Sequence, residues 1–322
     1  MTLEQAALPQ KSRELVTRIM DSRRWNGFAF RDDDIVVDTW AKSGTTLMQE
    51  ILAQLILGAP DAMMGGAISP WVDMSVFPMD EVAAMLEAQT HRRVLKSHLP
   101  LDALVYSPRA KYIFVGRDVR DVAWSMYNHQ GSYTDGFLAA LNAGPDSLGP
   151  KLSRPSCDVR DFYLYFIETG GVFDPESGGP YGGDTATSDF WAHTQGFFDR
   201  RAAPNLLLVH YANLKADLEG EIRRIAKFID MPLDEALLPR VVEHCGIDRM
   251  RSAALASPQA DAGFRFAFIG GAEAFFNKGT NGRWKDVLTP EEIDRADQVA
   301  AQRLSPDCAH WLKTGELPQG SA

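Results

Sequence analysis

The eight residues TWAKSGTT, Thr39 to Thr46, set a lysine, a glycine and several hydroxyls between an apolar run and a segment of helical spacing. A loop that leaves a buried strand and enters a helix points free backbone N–H groups, and the positive end of the helix dipole, into the bend. Such a bend binds anions, phosphate above all. Gly44 permits close backbone approach, Ser43, Thr45 and Thr46 add hydroxyl donors, and Lys42 adds a charge that can reach a terminal group. The pattern departs from the standard G-x-x-x-x-G-K-[ST] loop, because the lysine precedes the glycine by two residues and no earlier glycine opens the turn. A plain strand-to-helix turn capped by threonine is the competing explanation, so other segments must decide.

Those segments are LKSHLP (95–100), GRDVRDVAWS (116–125) and NKGTNGRWKDVLT (277–289). Apolar runs of strand length recur at DIVVDTW (34–40), RRVLKSH (92–98), KYIFVGR (111–117) and NLLLVHY (205–211), the first three leading into or carrying TWAKSGTT, LKSHLP and GRDVRDVAWS. Continuous apolar runs suit strands buried on both faces. TLMQEILAQLI (46–56), DVRDVAWSMYNH and LKADLEGEIRRIAKFI follow three of them with helical spacing. Strand then helix, repeated, predicts an α/β fold with a mainly parallel sheet and helices on both faces. Thr289, Pro290 and Glu292 open a further helix with a capping box. Two stretches rich in turn residues, 142–156 and 169–188, read as flexible loops, the second with six glycines between 170 and 183.

With 322 residues the chain is expected to form a single domain over 1–322. Its 33 basic and 43 acidic residues give a net charge of −10 without a basic run, which argues against a nucleic-acid partner. Any anion must therefore be held by a local constellation. No apolar stretch approaches the ~20 residues of a transmembrane span and the start has no secretory pattern, so the expected location is cytoplasmic. Cys157, Cys245 and Cys308 lie far apart, the histidines show no ligand spacing, and the acidic triplet at 32–34 reads as a solvated edge. No metal is expected.

Taken in order and at these separations, the four motifs resemble the cytosolic sulfotransferase family, over most of residues 30 to 290. The resemblance implies a P-loop-like fold and 3′-phosphoadenosine 5′-phosphosulfate (PAPS) as donor. It gives Lys42, Ser43, Gly44, Thr45 and Thr46 to the 5′-phosphosulfate and Arg117 and Ser125, eight residues apart, to the 3′-phosphate. Tyr211 resembles a tyrosine near the adenosine, and Lys278 with Gly279 a pair closing over the 3′-phosphate. A lone histidine at a strand end is ordinarily structural, but the K-x-H pattern makes His98 the implied catalytic base. In an in-line transfer His98 would take the acceptor's hydroxyl proton, Lys42 would neutralise the leaving oxygen and Lys96 would hold the moving group.

The sequence also departs from the family. Leu47 stands where a tryptophan usually stacks on adenine, with Trp40 as a nearby aromatic that could replace it, and Asn277 stands for an arginine, with Arg283 as possible compensation. Cys245 and Gly246 replace small hydroxyl residues on the adenine side, and the family's short dimerisation motif is missing, so an oligomer is not predicted. The expected partner is a small lipophilic hydroxyl compound: a phenol, a sterol-like alcohol or a glycolipid. Trp71, Phe77, Phe162 and Tyr165 are candidate walls of its pocket, or equally ordinary core. Segment 169–188 reads as a lid or as a passive insertion. A P-loop small-molecule or nucleotide kinase, and a nucleotide-binding protein of the same fold without turnover, are the alternatives.

Overall fold

The computed structural model describes residues 8–171 and 188–318. Four strands form its sheet: β1 (Ile35–Asp38), β2 (Val94–Ser97), β3 (Lys111–Gly116) and β4 (Leu206–His210), all parallel in the order β2-β1-β3-β4. Each falls inside one of the four apolar runs. Alternation along the strands sends Val36, Tyr112, Phe114 and Leu208 into one apolar core and Ile35, Val37, Ile113, Val115 and Val209 into another. The helices Val119–Gly131, Val159–Thr169, Phe190–Phe198 and Pro290–Arg303 contribute to the first core; Thr45–Leu57 and Leu218–Phe228 contribute to the second. A sheet covered on both faces is why its strands are continuously apolar.

The chain turns to β2 on one side of β1 and to β3 on the other, so the carboxyl ends of β1 and β3 flank a crevice of the kind open α/β sheets use for ligands. Three sequence expectations change here. The helical stretch after β4 is two helices, Tyr211–Ala216 and Leu218–Phe228, because Asp217 leaves helical geometry and its carboxylate accepts from Gly220 N to cap the second. Asp34 is no solvated edge: it is fully buried, with Arg93 Nε and Nη2 donating to its two oxygens at 2.8 and 2.7 Å. Loop 142–156 is irregular but fastened, since buried Arg18 donates to the carbonyls of Gly144, Gly149 and Pro150. The proposed lid falls largely on 172–187, outside the described residues. The capping box forms as expected, Thr289 Oγ1 accepting from Glu292 N and Glu292 Oε2 from Thr289 N. Among the described residues no helix is long and apolar enough to cross a membrane.

Candidate active site

The exits of all four strands meet at one cavity of about 340 Å³. From β1 comes the turn Trp40–Gly44, in which Lys42 (φ 69°) and Gly44 (φ 123°) hold left-handed backbone. The position of Gly44 requires glycine on two counts, because a Cβ there would also lie 2.8 Å from the Tyr211 ring. The helix that follows, Thr45–Leu57, has no side-chain cap at its start, so its first N–H groups are left for a ligand. By contrast the helix after β3 is capped by Asp118, which accepts from Arg120 N.

Lys96 and His98 leave β2 on the same side. Lys96 Nζ sits 4.2 Å above the Trp71 ring, which meets the His98 ring nearly at right angles at a centroid distance of 4.7 Å. The carboxylate of Asp73 fixes this group, accepting from Trp71 Nε1 at 2.7 Å, Trp25 Nε1 at 3.1 Å and His98 N at 3.3 Å. His98 Nδ1 donates to the Thr39 carbonyl at 2.6 Å, which puts the ring's proton on Nδ1 and a lone pair on Nε2. Thr39 Oγ1 also reaches Thr45 Oγ1, at 2.6 Å, tying His98 to the start of the uncapped helix. Burial, and then Lys96, hold the imidazole well below its usual value, so it is neutral and able to accept a proton.

Loss of water, then Arg117 and Lys96, bring Lys42 down to about 7, and burial brings Lys96 down to about 8. Lys42 Nζ meets His129 Nδ1 at 3.2 Å and lies over the Phe275 ring at 4.9 Å. From β3 comes Arg117, packed 4.3 Å over the Tyr211 ring; it donates through Nη1 to the Lys42 carbonyl at 3.0 Å and through Nη2 to Asn281 Oδ1 at 2.9 Å. Ser125, Lys278, Gly279 and Arg283 line the same cavity, with Tyr211 OH donating to the Gly279 carbonyl at 3.3 Å.

The structure thus brings Lys42, Gly44, Thr45, Thr46, Lys96, His98, Arg117, Ser125, Tyr211, Lys278, Gly279 and Trp71 to one cavity, with Ser43 buried beneath it. Three expected walls do not join them. Phe162 is sealed in the core, Tyr165 packs against that core, and Phe77 is 52% exposed elsewhere. Trp40 is also turned away: fully buried against Phe166 and Phe190, it cannot replace the ring missing at Leu47. The apolar wall is built instead from Met74, Tyr133, Phe137, Phe268 and Phe275, distant in sequence and visible only once folded. Thr39, Asp73 and His129 were missed as well; Thr39 at least stood inside the opening motif.

A family model described as "Sulfotransferase domain" matches residues 32–306. The chain is 30% identical to a glycolipid sulfotransferase of Mycobacterium tuberculosis, over 95% of this chain and 96% of that protein. It is 29% identical to human sulfotransferase 2B1 over 85% of this chain and 67% of that one. In shape it matches mouse sulfotransferase SULT7A1 complexed with PAP (TM-score 0.64, 18% identity, 89% of this chain and 90% of that chain). A retinol dehydratase in complex with androsterone and PAP gives the same TM-score at 21% identity, covering 88% and 84% of the two chains.

Proposed function

Because this chain belongs to the sulfotransferase family, we propose that it transfers the sulfuryl group of PAPS to a hydroxyl of a lipophilic acceptor. The observation that carries this reading is the convergence of an uncapped helix N-terminus, two lysines and a neutral histidine with a free Nε2 on one cavity. The uncapped N–H groups and the Thr45 and Thr46 hydroxyls receive the 5′-phosphosulfate; Arg117, Ser125 and Lys278 receive the 3′-phosphate, Arg117 exchanging Asn281 for it. Such donors act on charge in a site that excludes water, where they are worth most.

The reaction then needs little more than placement. The acceptor's hydroxyl hands its proton to His98 Nε2 as its oxygen attacks sulfur, and the sulfur–oxygen bond to the nucleotide phosphate breaks on the far side. Lys42 meets the charge growing on that leaving oxygen while Lys96, steadied by Trp71, holds the oxygens of the group in flight. The apolar wall of Met74, Phe137, Phe268 and Phe275 favours a lipophilic acceptor, which agrees with the glycolipid named for the mycobacterial relative.

The test is transfer of labelled sulfate from PAPS, without added metal, to phenols, sterols, aliphatic alcohols and glycolipids. The expected result is transfer to at least one class, with kcat falling about 100- to 10,000-fold in His98→Ala and nucleotide affinity little changed. Failure to bind 3′-phosphoadenosine 5′-phosphate at all would remove the reading.

A further inference from the structure

A second imidazole lines the cavity. His129 sits in the last turn of the helix Val119–Gly131, its ring centroid 5.1 Å from Tyr133 and 5.0 Å from Phe268. With a bound phosphosulfate holding Lys42 charged, its ammonium has only donors, so in the 3.2 Å contact Lys42 Nζ donates and His129 Nδ1 accepts. The ring's own proton is then on Nε2. Removal from water, with Lys42 and Lys96 near, keeps this ring neutral as well. Its Nε2 has no hydrogen-bond partner among the described residues, and His129 lines the cavity.

The neighbouring polar hydrogens are spoken for. Asn128 Nδ2 donates to the Trp124 carbonyl and Ser132 Oγ to the His129 carbonyl, which leaves His129 Nε2–H and the Tyr133 hydroxyl without partners among the described residues, on an otherwise apolar wall. The two imidazoles are therefore complementary: His98, bonded through Nδ1–H to Thr39, offers a lone pair, and His129, bonded through its Nδ1 lone pair to Lys42, offers a proton. Lys42 neighbours both. A simple alcohol can use only the first. An acceptor with a second oxygen beside the reacting hydroxyl uses both, and an acceptor lacking it leaves a desolvated N–H unpaired.

We propose that His129 determines acceptor specificity: its Nε2–H donates to an oxygen adjacent to the hydroxyl that His98 deprotonates, selecting a polyol such as the sugar head of a glycolipid. This rests on the sulfotransferase reading and deepens it. The experiment compares octyl glucoside with 1-octanol, which share a tail, as acceptors for the full chain and for His129→Phe and His129→Gln. The ratio of kcat/KM for glucoside over octanol is expected to favour glucoside in the wild type. It should fall about 10- to 100-fold in His129→Phe and partly recover in His129→Gln, whose amide can donate. Equal losses on both acceptors would confine His129 to holding Lys42 and overturn the proposal, as would a wild type that prefers octanol. Binding of 3′-phosphoadenosine 5′-phosphate without transfer to the glucoside overturns it alone; absence of that binding in the wild type overturns the parent reading too. Should His129→Phe fail to bind the nucleotide, His129→Leu, which also lacks a donor, takes its place, with the same fall expected and an unchanged ratio fatal.

Discussion

Burial holds Lys42 and Lys96 well below the usual lysine value, and Arg117 and Lys96 add to the shift at Lys42. Their ordinary value of 10.5 has dropped to about 7 and about 8, so between about pH 6 and 9 the free protein loses the protons that a bound phosphosulfate would require. The sign follows: binding favours the charged lysines, hence protons are taken up on binding and affinity weakens as pH rises through that window. Calorimetry of 3′-phosphoadenosine 5′-phosphate binding at pH 8, in buffers of different ionisation enthalpy, should show net proton uptake that shrinks by pH 6. Uptake independent of pH would assign the effect elsewhere. At this scale the sequence said much about identity and little about state. The motif residues were readable, whereas the Thr39 carbonyl that sets the His98 tautomer, and the Asp73 carboxylate behind Trp71, act through contacts no spacing reveals.

Gly44 is where an element and the site share one atom's worth of space. Its φ of 123° and the 2.8 Å approach of the Tyr211 ring mean that Gly44→Ala must shift either the start of the helix Thr45–Leu57 or the tyrosine. The expected outcome is nucleotide affinity reduced about tenfold or more, with a stability cost of about 1–3 kcal/mol by chemical unfolding. Unaltered affinity would mean the helix start is not the anion's seat. Elements were the most legible level, since β1 to β4 are short apolar runs whose burial on both faces leaves no other reading. The exceptions have local causes. Asp217 interrupts a helical pattern whose apolar period continues across it, and the spacing of Phe162, Tyr163, Phe166 and Ile167 records a helix facing the core rather than the cavity.

Arg93 and Asp34 join the exit of one loop to the start of β2 through a pair with no access to water, and Arg93 also donates to the Ala29 carbonyl. Such pairs cost much to desolvate, so losing one partner is worse than never having had either. Arg93→Ala is expected to lower stability by about 3–5 kcal/mol in urea unfolding, and Asp34→Asn/Arg93→Met, which buries no lone charge, to lose less. A single mutant no less stable than the double would contradict this. The partners are 59 residues apart, which is why the sequence showed only an acidic triplet. On the proposed roles, one further contact spans the whole site. Arg117, at the 3′-phosphate end, grips the backbone carbonyl of Lys42, at the sulfuryl end. The nucleotide is thereby gauged as if by callipers whose jaws share a hinge. A nucleotide lacking the 3′-phosphate would leave Arg117 turned to Asn281 and the span unmeasured, so the same bond that fixes the geometry of transfer also screens which nucleotide is admitted to it.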